Sequence, residues 1–365
     1  MEKTDKKTED ENALKDKEIS STSKNASADQ EVKPIEKKVK KDPREKLFKP
    51  DHRLFALNSS PHDFTERSVP VIMWSVVAAL LPTTVMAIYY FGHSAISLIL
   101  ACVVSALLTE IIINRVKGQE ITLKDGSAAI TGLLLALTLP PTLSVSSAVL
   151  GSIFAIAIGK QVFGGLGYNI FNPALIGRAF LQTSFPVAMT TWRLPFSEFD
   201  GISAATPLGN FKFEKILTHW EPLITGNTGG SLGETCFVAI LVGGIFLLIK
   251  RYADWRIPLS FLGTIFIITG IFWLVNPTNY SDPVFQILSG GLMLGAFFMA
   301  TDMVTSPITP KGSWIFGFGA GLLVVIIRYF GGLPEGVMYS ILLMNAVTPL
   351  INRYTRPKFL GEVKK

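Results

Sequence analysis

Ten apolar runs, each 15 to 23 residues long, follow one another between residues 69 and 352: 69–91, 94–113, 127–141, 145–159, 172–186, 234–249, 257–275, 284–300, 314–330 and 336–352. A helix that crosses the hydrocarbon core of a bilayer needs about 20 apolar residues, and fewer where it is broken or re-entrant. The pattern therefore predicts an all-α integral membrane protein of about ten transmembrane helices. Pairs of the shorter runs also suit a single dip into the membrane, which lowers the count by about two.

Charge supports this. Only 17% of the chain is Asp, Glu, Lys or Arg, against roughly 25% in a soluble domain. Residues 1–50 alone hold 14 of the 34 Lys and Arg and 12 of the 28 Asp and Glu. That segment has too few apolar side chains to offset the entropy of ordering it, which predicts a disordered charged tail. It contains no apolar run with a small-residue cleavage site, so it does not read as a secretory signal. The basic stretch Lys37-Lys38-Val39-Lys40-Lys41 suits acidic lipid headgroups or nucleic acid, but its interleaved acids favour a solvated tail, and no nucleic-acid partner is expected. The two cysteines, Cys102 and Cys236, lie in apolar surroundings and read as small buried hydrophobes.

Orientation follows from the loops, because cytoplasmic loops carry the excess of Lys and Arg. With the amino terminus inside, the inner loops and tail hold Arg115, Lys117, Lys124, Lys160, Lys250, Arg251, Arg256, Lys311, Arg353, Arg356, Lys358, Lys364 and Lys365; the outer loops hold Arg193, Lys212 and Lys215. Both ends are then cytoplasmic, with 353–365 as a second tail. The long polar segment 187–233 lies on the outer face.

The chain also repeats itself. Ile130-Thr131-Gly132-Leu133-Leu134 resembles Leu288-Ser289-Gly290-Gly291-Leu292, each opening a short run just after an aspartate (Asp125, Asp282), and Phe163-Gly164-Gly165-Leu166 recurs as Phe330-Gly331-Gly332-Leu333. Two matches in the same order predict two five-helix repeats, 51–186 and 234–352. Five being odd, the second copy enters upside down, and inverted repeats place their sites near the bilayer midplane at broken spans. The glycines also suit plain close packing of helices.

Within the outer loop, Asp200-Gly201-Ile202-Ser203-Ala204-Ala205-Thr206-Pro207 is a small-residue turn whose proline pushes Thr206 toward an extended backbone. It predicts an exposed threonine hydroxyl, in an ordinary loop or in a modification site. This segment resembles the flavinylation motif, Asp-x-x-Ser/Thr-Gly-Ala-Thr/Ser, of the NqrB/RnfD family of ion-translocating electron-transfer complexes. The segment from Gly164 to Phe180, containing Asn169-Ile170-Phe171-Asn172-Pro173-Ala174, and the Thr301-Asp302 stretch before Thr305-Ser306-Pro307 are similar to the same family. Ala204 departs from the motif, standing where it carries glycine.

The resemblance implies a flavin-carrying subunit. FMN would be joined through its phosphate to the Thr206 hydroxyl by a separate flavin transferase, with Asp200 and Ser203 as recognition elements, and a non-covalent riboflavin would be held near Asn169 and Asn172. It further implies a complex that couples electron transfer between ferredoxin and NAD to Na⁺ or H⁺ translocation, with iron–sulfur, flavin and membrane subunits as partners, in the bacterial inner membrane. No catalytic residue is assigned to this chain alone. The length and Pro186-Val187-Ala188-Met189-Thr190-Thr191-Trp192 favour the Rnf branch; Gly177-Arg178-Ala179-Phe180 and Asp200-Gly201 are reminiscent of the Nqr branch, the Na⁺-pumping NADH:quinone reductases. The alternative Asn172 role is a cap on the fifth run. A small-solute channel with inverted repeats is the reading from another class.

Charged groups inside the runs are costly, about 2.5–3.5 kcal/mol each at mid-bilayer on insertion scales, so Glu110 and Arg178 stand out, with Asp125, Glu234 and Asp302 near run ends. Each suits ion coupling or a local neutralising contact: Glu110 with Arg115, Arg178 with a carbonyl or flavin phosphate. His52, His62, His93 and His219 lack metal-ligand spacing, and no metal site is expected.

Overall fold

The structure, a computed structural model, describes residues 68–120, 122–196, 203–234 and 237–357. The charged tail, Asp200, Cys236, the side chain of Ser203 and everything from residue 358 onward lie outside the described residues.

The first long run forms helix α1 (Val69–Phe91), whose 23 residues reach about 35 Å, enough to cross a bilayer core. Gly92, at φ +58°, donates its N–H to Ile88 O and turns the chain straight into α2 (His93–Val116). Few residues but glycine take that backbone without strain. A 3₁₀ turn (Leu123–Asp125) and Gly126 lead into the short α3 (Ser127–Leu137), then α4 (Val145–Ile156), extended by a π turn (Ala157–Gln161), and α5 (Pro173–Ser184). The first half ends in the single-turn α6 (Pro186–Thr190).

Between the halves lie a two-stranded antiparallel ladder, β1 (Trp192–Arg193) and β2 (Ser203–Ala204), and the helices α7 (Pro207–Glu214) and α8 (Trp220–Thr225). The second half opens with α9 (Phe237–Ile249) and α10 (Arg256–Val275). Its third run is broken into α11 (Pro283–Leu288), α12 (Leu292–Leu294) and a π turn (Gly295–Met299), before α13 (Pro310–Phe330) and α14 (Val337–Thr355). Four helices, α1, α2, α10 and α13, are long and apolar enough to cross a membrane.

Packing repeats as the sequence does. In the first half α2 packs on α4 and α4 on α5; in the second α10 packs on α13 and α13 on α14. The two first helices, α1 and α9, meet antiparallel: Ala79 lies against Gly243, while Met73 and Val76 share a cavity wall with Leu247 and Tyr252. That is the arrangement of an inverted pair. Close approach uses Gly132 of the repeat and a glycine outside it, since a Cβ on Gly132 would stand 2.7 Å from Cys102 O and one on Gly321 2.8 Å from Phe261 O, and small residues let membrane helices approach this way.

Burial is inverted relative to a soluble protein. Leu81, Val85, Leu100, Leu108 and Ile112 are exposed on the outer surface of α1 and α2, whereas Glu110, Lys160, Asn169, Arg178, Arg328 and Asn345 are buried. An apolar exterior around buried polar groups is what a hydrocarbon solvent selects.

The predicted runs differ from the helices where proline or glycine intervenes. Run 127–141 stops as helix at Leu137, ahead of Pro140-Pro141, and run 284–300 is interrupted at Ser289–Gly291, where Gly290 takes φ +74°. Lys160, assigned above to an inner loop, is instead fully buried in the π turn.

Candidate functional site

Two cavities lie back to back in the bundle. The larger, of about 360 Å³, is walled by α5, α7, the π turn of the second half and the start of α14. The smaller, of about 70 Å³, lies between α1, α3, the Asn169–Pro173 segment and the loop after residue 298. Phe298 and Asn172 line the small cavity, Met299 and Leu175 the large one, and Asn172 Nδ2 donates to Met299 O at 3.3 Å. The partition is therefore about one side chain thick. The small cavity adjoins the first turns of α1, whereas the segment between the halves meets the other end of that helix, where the Tyr90 hydroxyl donates to Thr225 O.

Thr206 lines the large cavity. It lies two residues beyond β2, whose Ala204 and Ser203 pair with Trp192 and Arg193, and Trp192 forms another part of the cavity wall. Thr206 is the N-cap of α7: its Oγ1 accepts from Gly209 N–H at 3.1 Å, which satisfies one of the free donors at the helix start. The expectation of an exposed hydroxyl is corrected here, because Thr206 is only 5% exposed. It shares the cavity wall with Trp192 of β1 and with Pro334 and Glu335 ahead of α14, a neighbourhood that local composition does not encode. Ala204 sits in an extended strand, a conformation open to any residue, so the missing motif glycine leaves the backbone path intact.

In the lining of the same cavity, Arg178 Nη2 donates to Glu335 Oε2 at 2.8 Å, and Arg178 Nε has no partner among the described residues. Arg178 thus pairs with a carboxylate 157 residues away, not with a carbonyl. Glu234 accepts from Ser231 N–H at 3.2 Å and contacts Gly291 just behind. Lys212 on α7 donates to Arg328 O and Leu333 O, at 2.9 and 2.8 Å, and also to Gly331 O, tying the loop to the end of α13. Partial burial pushes the Lys212 ammonium below its ordinary pKa.

Asn169 and Asn172 both line the small cavity. Asn172 caps α5, its Oδ1 accepting from Ala174 N–H at 3.0 Å, so the capping role holds. Asn169 Nδ2 donates to Phe171 O at 3.2 Å, and its Oδ1 is buried without a partner among the described residues. Nearby, Glu110 pairs with Lys160 at 2.7 Å rather than with Arg115, and Thr122 donates to the same carboxylate at 2.9 Å. Lys160 also reaches Ser127, which is held by Asp125 at 2.7 Å.

Sequence reasoning missed Lys160, Arg328 and Glu335. The signal for two of them was present, since Lys160 and Arg328 each precede an FGGL repeat by two or three residues. No cluster of three metal-binding side chains occurs among the described residues.

A duplicated helical bundle with an apolar exterior and two internal cavities defines a polytopic membrane protein. The chain belongs to the NQR2, RnfD, RnfE family, whose model matches residues 56–361. It is 47% identical over 319 residues to the D subunit of the proton-translocating ferredoxin:NAD(+) oxidoreductase complex of Clostridium ljungdahlii, covering 84% of this chain and 96% of that protein. The D subunit of the Na(+)-translocating ferredoxin:NAD(+) oxidoreductase complex of Acetobacterium woodii is 45% identical over 313 residues, with 84% and 96% covered. The D subunit of the ion-translocating oxidoreductase complex of Escherichia coli is 40% identical over 352 residues, covering 85% and 99%.

Proposed function

We propose that this chain is the RnfD-type subunit of a bacterial Rnf complex: a membrane protein that carries FMN covalently on Thr206 and serves electron transfer between ferredoxin and NAD coupled to ion translocation. Family membership over most of the chain supports the complex. The observation that carries the flavin reading is the placement of the Thr206 hydroxyl inside the large cavity. Its partners are the other subunits of the complex and, for maturation, a flavin transferase. The inner membrane is its location, with both termini cytoplasmic and the Thr206 loop outside. The relatives named above translocate H⁺ in one case and Na⁺ in another, so the ion is not a family constant.

The residues fit the group. A volume of about 360 Å³ falls within the roughly 300–1,000 Å³ of small-molecule sites. Thr206 supplies the oxygen for a phosphoester, and as the residue preceding α7 it holds the phosphate at the donor-rich, positive end of that helix. Trp192 and Tyr339 offer aromatic surface, and Leu175, Leu294 and Val337 keep water out. When bound, FMN supplies reversible electron transfer on a ring fixed to the chain.

A second, non-covalent flavin at Asn169 and Asn172 is supported by the free Asn169 Oδ1, but the 70 Å³ cavity is too small for the tricyclic ring. The partition between the cavities favours a carrier over an open channel.

The test is flavin fluorescence of the denatured band on a gel, after expression with an active transferase. The wild type and Thr206→Ser are expected to glow and Thr206→Ala to be dark. A dark wild-type band, or a glowing Thr206→Ala band, defeats the flavin assignment.

A further inference from the structure

Arg178 and Glu335 are the charged side chains in the wall of the large cavity, among the described residues. They come from opposite halves of the molecule, α5 and the turn before α14, and are joined at 2.8 Å. Arg178 is 7% exposed, yet its Nε has no protein partner among the described residues. A guanidinium has five N–H donors, and one left unpaired in a buried site is a donor kept for something else. The wall it occupies is shared with Thr206.

We propose that Arg178, held in place by Glu335, sets the reduction potential of the flavin carried on Thr206. The proposal rests on the flavin reading above. The oxidised ring is neutral. On gaining two electrons from the carriers of the complex and one proton from water, it holds one negative charge at neutral pH. A cation fixed in a water-poor wall favours that charged product over the neutral reactant, because charges interact strongly where the dielectric constant is low. Glu335 opposes the effect and holds the guanidinium in a single position. Arg178 is thus a positioning and tuning residue, and the two partners act on the potential with opposite signs. A purely structural bridge has no such signature, since removing either end only loosens the same contact.

The experiment uses the full-length chain, purified from cells that also express a flavin transferase. The gel band is first checked for fluorescence, and the bound flavin is then titrated spectroelectrochemically. Arg178→Gln is expected to lower the potential, with a tenfold loss of preference for the reduced form reading as about 30 mV in a two-electron couple. Arg178→Lys is expected to fall between it and the wild type. Glu335→Gln is expected to raise the potential. Fluorescent bands with unmoved potentials, or with both partners shifting the potential the same way, overturn the tuning role while leaving the flavin assignment standing. A dark wild-type band overturns both. Should Arg178→Gln fail to fold, Arg178→Lys and Glu335→Gln carry the test, and a Glu335→Gln potential equal to or below that of the wild type overturns the proposal.

Discussion

Each half of the bundle drives one basic side chain from near the end of its fourth helix into the start of its broken third helix, but the two halves satisfy that cation differently. In the first half Lys160 meets Ser127 and forms a 2.7 Å pair with Glu110, both residues fully buried. In the second half Arg328 donates to Gln286 O and Oε1 at 2.6 and 2.8 Å and to Ser289 O at 3.1 Å, with no carboxylate within pairing distance among the described residues. The first half neutralises its charge where the charge arises. The second half leaves its positive charge on neutral acceptors, and its carboxylate Glu335 lines the large cavity, paired there with Arg178 of the first half. The two halves thus share the helix arrangement and the position of the cation but differ in where the counter-charge lies.

The largest expected effect tests whether the pair in the first half is truly local. Lys160→Met strands a buried carboxylate and is expected to cost about 3–5 kcal/mol, with most of it recovered in the double variant Lys160→Met, Glu110→Met. Equilibrium unfolding in detergent measures both. Arg328→Met leaves only uncharged acceptors and is expected to cost less, about 1–3 kcal/mol, with no recovery on adding Glu335→Gln. Equal costs, or recovery in the second half, would erase the distinction.

Next comes packing. A Cβ at Gly132 meets rigid backbone at Cys102 O, 2.7 Å away, whereas at Gly291 it meets the movable end of Glu234 at 3.0 Å. Gly132→Ala is therefore expected to cost about 1–3 kcal/mol and Gly291→Ala less, in the same unfolding assay. Helix caps follow: Asn172→Ala and Thr206→Ala each remove one, at about 1 kcal/mol, while Thr206→Ser keeps the cap.

The smallest effect is a pH dependence confined to the segment between the halves. The folded Lys212 pKa lies below its unfolded value, so the unfolded chain binds the proton more readily. Lys212 therefore costs the fold stability at pH values below its folded pKa, and that cost fades as pH rises through the folded pKa toward the unfolded one, near 10.4. Thermal melts of wild type against Lys212→Met should show the wild type gaining as the pH rises toward the unfolded value near 10.4; a loss on that rise contradicts the burial.

Much of this is legible before folding. Asp125 and Asp282 stand just ahead of the short runs in the sequence, and they cap them, Asp125 accepting from Ser127 N–H at 2.9 Å and Asp282 from Phe285 N–H. Gly132 of the repeat marks a close helix contact, and Asn172 caps α5. Other features are not legible. Sequence pairs Glu110 with Arg115, five residues on, because it offers only near neighbours; the true partner lies 50 residues away. Thr206 reads as exposed because its own neighbours are small, yet it is buried in the fold, on a cavity wall shared with β1 and the turn before α14.

The sequence by itself determined that this chain lives in a membrane, that it is a duplicated set of helices, and that Thr206 and the Asn169–Asn172 segment belong to a known family pattern. These properties are carried by apolar run length, by repeated letters and by short motifs, all local along the chain. Tertiary structure alone decided which charges neutralise one another, that two cavities sit back to back, and that Arg178 and Glu335 share a wall with Thr206. Those relations join residues far apart in the chain, 50 apart for Glu110 and Lys160 and 157 apart for Arg178 and Glu335, and only the packing of the helices brings them within a few ångströms.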